Sequence, residues 1–164
     1  MRRSRLRPFR LSLLGGALAL LSPACADQGL LGPDEILGEY AAVSADGRAL
    51  PAYVNHDRSQ TGGRRLAGAT LRLTAPGTME VALELETVGS DGSIVSQVAD
   101  TLVVDYALDG TVLTLAAGDD TALFELADRG LVLEDGSLLV IVRFPYPPVT
   151  GYDGTYPVDL VFAR

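Results

Sequence analysis

The 164-residue chain sets thirteen basic residues, all of them arginine, against twenty-one acids, for a formal net charge of −8. A surface of that sign repels nucleic acid and anionic lipid headgroups and excludes nucleic-acid binding as a function. A single cysteine and a single histidine exclude an internal disulfide and leave almost nothing from which to build a zinc site or a nucleophile–base pair, so a chain of this size must be held as one domain by its apolar core.

Residues 1–24 read as a signal peptide. The first ten, MRRSRLRPFR, hold five arginines and no acid, LSLLGGALALL adds eleven uncharged residues, and small residues follow. The apolar run falls short of the roughly 20 residues of a transmembrane helix. Arg2-Arg3 begins like a twin-arginine signal, but the SRLRPF that follows does not extend the motif. Next comes LLSPACAD, with the only cysteine, Cys25. A general signal peptidase acting on ACA would cut after Ala26 and discard it. The stretch also resembles the signals of bacterial lipoproteins, whose lipobox runs Leu, small residue, Gly or Ala, Cys. Ala24 matches, Leu21 stands one position early, and Pro23 intervenes. Lipidation of Cys25 is the expectation, with a secreted or periplasmic product as the alternative. Multiple acyl chains would anchor the protein stably, and Ala26, where some inner-membrane lipoproteins carry aspartate, points to the outer membrane. Removing residues 1–24 takes five basic residues and no acid, moving the charge from −8 to −13. Residues 25–36, with two glycines, a proline and three acids, read as a flexible tether.

From residue 37 to 164 the dominant signal has period two, the mark of half-buried strands. TMEVALELE sets Met79, Val81, Leu83 and Leu85 against Glu80, Ala82, Glu84 and Glu86. TLVVDYAL alternates Leu102, Val104, Tyr106 and Leu108 with Val103, Asp105 and Ala107, and PVDLVFAR turns Val158, Leu160 and Phe162 inward. Asp-Gly recurs at 46–47, 91–92, 109–110, 135–136 and 153–154, where tight type I′ hairpin turns want positive φ. The predicted strands span 37–44, 49–54, 68–74, 78–88, 94–108, 111–116, 121–127, 130–134 with 137–144, and 156–163. PDEILGEY is the best short helix. Short connections make successive strands antiparallel neighbours, so the expected fold is all-β: a meander of eight or nine strands closed into an up-and-down barrel, which removes sheet edges. A two-sheet sandwich is the alternative.

LGEYAAVSADGRALPAYV, residues 37–54, resembles the opening of small bacterial lipocalin-like domains, with a Gly-x-Tyr strand (Gly38, Tyr40) and a Leu50-Pro51-Ala52 element after the turn. GATLRLTAPGTMEVALEL and YALDGTVLTL resemble their later hairpins. Tyr40 stands where the lipocalins proper carry tryptophan. The resemblance implies a lipocalin-like barrel in an exported lipoprotein.

His56, between Asn55 and Asp57, reads as a loop residue, since no second histidine accompanies it. Arg58, Arg64 and Arg65 concentrate positive charge in the polar stretch 55–65, read as an exposed loop; they could hold an anionic group or merely offset the acidic surface. Asp119-Asp120 lacks the spacing of a calcium loop. FPYPPVTGYDGTYP, residues 144–157, has four prolines and three tyrosines, and its stiffened Tyr146, Tyr152 and Tyr156 form a candidate binding surface or a lid on one barrel end. Glu80, Glu84 and Glu86 read as solvating. No catalytic residue, metal or cofactor is expected, and no enzymatic activity. The function expected is a monomeric, lipid-anchored cell-envelope domain that binds a small apolar ligand or an envelope protein. The alternative is a structural or interaction module with a filled core, secreted or periplasmic; a ligand cavity inside the barrel would separate the two.

Overall fold

A computed structural model describes residues 32–54, 62–75, 77–116, 123–146 and 153–164. A 3₁₀ turn at Pro33–Ile36 leads into ten strands: β1 (Gly38–Ala45), β2 (Arg48–Ala49), β3 (Ala52–Tyr53), β4 (Gly63–Thr74), β5 (Thr78–Val88), β6 (Ile94–Asp109), β7 (Val112–Leu115), β8 (Glu125–Val132), β9 (Leu138–Pro145) and β10 (Thr155–Ala163). They form one antiparallel sheet in the order β2-β1-β10-β9-β8-β7-β6-β5-β4-β3, and an additional pairing of β1 with β4 closes eight of them into a barrel. The fold is the predicted meander barrel, consistent with a lipocalin-like fold.

Alternation builds the wall. Along the β4–β5 ladder, Leu71 faces Val81 and Leu73 faces Met79, all buried, while Arg72 faces Glu80 on the outside. Such cross-strand apolar pairs are the unit of sheet stability. Inside the barrel Leu71, Met79, Leu113, Phe124, Val140 and Phe162 have no surface that water can touch. A side chain lining a water-sized void would keep some accessible surface, so no such void borders these six residues.

The seam where the barrel closes departs from the single strand predicted over 49–54. β1 pairs with β4 only along Gly38–Ala41. Beyond that the two strands part, and the gap is taken up by β2, paired to β1 at Ser44 and Ala45, and β3, paired to β4 at Leu66 and Arg65. The cis Leu50–Pro51 bond lies between them. Another departure concerns 121–134. Glu125–Val132 forms one strand, whose register against β9 jumps between Leu126 and Gly130; the segment predicted from 130 belongs to its end. Gly130 permits this, since a Cβ there would lie 2.8 Å from the Leu139 carbonyl oxygen.

The turns divide by type. Asp46 and Gly47 both have positive φ, 49° and 73°, as a type I′ turn requires, and Asp46 is bonded to the backbone of Asp159 in β10. At 91–92 and 135–136 only the glycine has positive φ. These hairpins are wider, and a serine two residues past the aspartate donates backbone N–H and Oγ to its carboxylate: Ser93 to Asp91 at 3.0 and 2.7 Å, Ser137 to Asp135 at 2.9 and 2.5 Å.

The barrel ends differ in their connections. At one end the tight β4–β5, β6–β7 and β8–β9 turns meet the 3₁₀ turn and the C-terminus. Tyr40 donates its hydroxyl to the Ile36 carbonyl at 2.7 Å. The Arg164 guanidinium lies 5.0 Å from the Tyr40 ring centre and donates to the carbonyls of Glu35 and Leu37 at 2.5 and 2.9 Å. Ile36, at the end of the segment read as a tether, is thereby buried in the domain. At the opposite end lie the β3–β4, β5–β6, β7–β8 and β9–β10 connections, which include the long ones.

Candidate functional site

The loop-bearing end is where chemically distinctive side chains meet. β9 finishes with Phe144 and Pro145, β10 begins with Thr155 and Tyr156, and the register sets Phe144 opposite Tyr156. Tyr156 continues the inward series of Val158, Leu160 and Phe162, so its ring enters the barrel mouth, 7% exposed. Its ring centre lies 6.0 Å from that of Phe144 and 5.2 Å from that of Tyr146, both tilted contacts within the range of favourable aromatic pairs. Tyr146 is half-buried, and its N–H donates to the Gly154 carbonyl at 3.1 Å, narrowing the base of the β9–β10 connection.

The Tyr156 hydroxyl donates to the carbonyl of buried Val54 at 2.5 Å, and the Val54 N–H donates to the Arg64 carbonyl at 3.0 Å. These bonds tie β10 to the segment leaving β3 and to the start of β4. Arg64 leans across the same cluster: its guanidinium carbon is 5.9 Å from the Phe144 ring centre and its Nη1 is 3.5 Å from the Pro145 carbonyl oxygen. Burial pushes the Tyr156 phenol above its ordinary pKa, and the charge and hydrogen bond of Arg64 work against that rise. The result is a neutral buried phenol beneath a rim of Tyr146 and an arginine over an aromatic face, a cation–π arrangement.

Of the predicted binding residues, the structure brings together Tyr146, Tyr156 and Arg64. Arg58 and Tyr152 lie outside the described residues, as do Cys25, His56 and Asp119-Asp120. Arg65 is a correction. The stretch 55–65 is expected to be an exposed loop, but β4 begins at Gly63, and adjacent residues of a strand point to opposite faces. Arg65 therefore turns away from Arg64 and pairs with Glu86 on β5, its Nε and Nη2 at 2.8 and 2.6 Å from the same Oε2. Glu86, read as solvating, is only 8% exposed; Glu80 and Glu84 are exposed as expected. The sequence reading missed Phe144 and Val54 as the floor of the cluster. Phe144 continues the alternation of Val140 and Val142, a signal hidden by the prolines after it; Val54 carries no local signal.

Among the described residues no group of three or more His, Cys, Asp or Glu could hold a metal ion, and no helix is long and apolar enough to cross a membrane. Asp91 and Asp135 titrate below the usual carboxylate range because the Ser93 and Ser137 hydroxyls, then their backbone N–H groups, hydrogen-bond the charged form. Both are turn-forming groups at the surface. Comparison with protein families, with curated proteins and with solved structures returned no match. The site must be read from its own geometry.

Proposed function

We infer that the chain is a lipid-anchored, non-enzymatic domain of the bacterial cell envelope that recognises a protein partner through the loop-bearing rim of its barrel. The observation that carries this reading is the Tyr146–Tyr156–Arg64 cluster, at the end from which the β3–β4, β7–β8 and β9–β10 connections leave, above inward side chains that are closed to water. Tyrosine and arginine are the residues that most often dominate binding energy at interfaces. The burial of the inward side chains Leu71, Met79, Leu113, Phe124, Val140 and Phe162 supports an interaction module over a carrier with a central ligand cavity. The anchor rests on the sequence of residues 1–26: a basic start, a short apolar run and Cys25 among small residues. Outer-membrane sorting rests on Ala26.

Two experiments test the reading. A photo-crosslinking residue placed at Tyr146 in the full chain, expressed in a bacterial host, is expected to give a discrete protein adduct that Arg64→Glu abolishes. The same residue at Val43, on the exposed wall of β1, should not give it. No adduct at the rim, or the same adduct from Val43, overturns the interface, and a stoichiometric apolar molecule retained in native mass spectra would return the function to the barrel interior. For the anchor, mass spectrometry of the membrane-purified protein should find a diacylglyceryl thioether on Cys25; a mature chain beginning at Asp27 overturns it.

A further inference from the structure

β6 is sixteen residues long, but its neighbour β7 covers only its last part, from Tyr106 opposite Leu115 to Asp109 opposite Val112. One more bond, from the Ala116 N–H to the Asp105 carbonyl at 2.9 Å, ends the ladder. In an antiparallel strand the N–H and C=O of one residue point to the same side, and successive residues alternate. Asp105 therefore sets the phase: Val103, Thr101, Ala99 and Gln97 direct their backbone groups away from β5. No described strand pairs with them there. The Thr101 N–H is met instead by the carboxylate of its own neighbour Asp100 at 2.9 Å, the local satisfaction open to an edge amide with no strand beside it.

The side chains agree. The inward series of β6 is buried at Leu102 and Val104, yet Val98, which stands opposite buried Leu85, is 45% exposed. Ile94 and Val95 at the start of the strand are 54% and 68% exposed. The first half of β6 stays paired with β5 but carries exposed apolar groups along an edge that no described strand covers. Natural proteins guard such edges with lysine, proline, charge or a bulge. Between Ile94 and Thr101 the guards are Asp100 and the slip in register that leaves Val95 unmatched.

We propose that this edge seats the same edge of a second copy, the two β6 strands running antiparallel across a two-fold axis. An antiparallel strand pair is self-complementary, so each edge N–H of one chain meets a C=O of the other, the isologous contact of a closed dimer. Charge selects the copy and the place. Most faces of two such acidic chains repel, and the outward Glu80 and Glu84 of neighbouring β5 are exposed. The stretch 94–99 has no charged residue. With the axis at Val98, Gln97 lies opposite Ala99 of the second copy. The two Asp100 side chains are then about 14 Å apart along the strands, at about 3.4 Å per residue, beyond the screening length of about 8 Å at physiological salt. β6 lies four strands from β10 around the barrel, which puts the dimer edge on the opposite side of the barrel from Tyr156.

Sedimentation velocity of the processed chain, kept unlipidated by Cys25→Ser, tests this. A concentration-dependent monomer–dimer equilibrium is expected, strengthened by added salt. Gln97→Glu, which places like charges near the axis, and Ala99→Pro, which removes an edge N–H while sparing the β5 ladder, should each weaken association at least tenfold at an unchanged circular dichroism spectrum. Thr114→Glu, the same charge on the exposed face of β7, should leave it intact. A monomer at all concentrations overturns the proposal, as does a dimer indifferent to both edge substitutions. A crosslinker at Gln97 that captures only a different protein in cells assigns the edge to a foreign strand and equally overturns it.

Discussion

Replacing Tyr156 by phenylalanine removes one oxygen and leaves the ring that packs on Phe144 and Tyr146 in place, so no cavity opens. What changes is the Val54 carbonyl, which loses the hydroxyl that donates to it at 2.5 Å. Val54 is 2% exposed, and its N–H is held by the Arg64 carbonyl at 3.0 Å, so the segment cannot swing outward to find water. A buried acceptor stripped of its partner costs about 1–3 kcal/mol, and the closed surroundings place Tyr156→Phe at about 2 kcal/mol. For a domain of about 130 residues, an unfolding entropy near 2.1 cal/mol/K per residue converts this into a fall in Tm of roughly 7 °C. Urea denaturation should show the midpoint falling at an unchanged m-value. Tyr53→Phe, on a more exposed ring of β3, should stay within about 0.5 kcal/mol of the parent. If Tyr156→Phe behaves like Tyr53→Phe, the Tyr156–Val54 bond does not hold the rim together, and the cluster loses its foundation.

Burial raises the pKa of Tyr156 and of Tyr106, so above about pH 10 the unfolded chain releases protons that the folded one keeps; stability should fall with pH above that value, and the late part of the phenolate absorbance titration should shrink by one phenol in Tyr156→Phe, the part from Tyr106 remaining. Asp91 and Asp135 have lowered pKa values in the fold, so the support they give is present above the unfolded aspartate value of about 3.9 and lost as the pH falls through their folded values; Asp135→Asn should flatten part of the acid limb of a Tm–pH curve. Gly130→Ala drives a Cβ to 2.8 Å from the Leu139 carbonyl oxygen and should cost about 1–3 kcal/mol in chemical denaturation. Arg65→Ala leaves the Glu86 carboxylate buried without its partner and should cost about 1–3 kcal/mol, whereas Arg65→Leu combined with Glu86→Leu should recover most of it.

The binding residues were legible to different degrees. Tyr146 and Tyr156 stood out because three tyrosines among four prolines exceed what a hairpin needs. Arg64 stood out as charge, but its grouping with Arg65 followed from reading the polar stretch as a loop. Once β4 is seen to begin at Gly63, the pleat separates the two arginines, one over Phe144 and one on Glu86. Glu86 looked solvating because it shares the phase of exposed Glu80 and Glu84; its burial depends on a cross-strand neighbour 21 residues away. The split of 49–54 and the register jump in β8 escaped notice because neither disturbs the local alternation strongly.

The sequence by itself determined which face of each strand turns inward, where the chain reverses and that the strands meander, because pleat alternation and positive-φ turns are properties of adjacent residues. Only the tertiary structure decided that β1 closes on β4 with two short strands filling the fork, that Tyr156 reaches Val54 across 102 positions, and that no described strand pairs with the first half of β6 on the side away from β5. Those outcomes depend on register and strand length summed around the whole barrel, and no local window of the chain contains that sum.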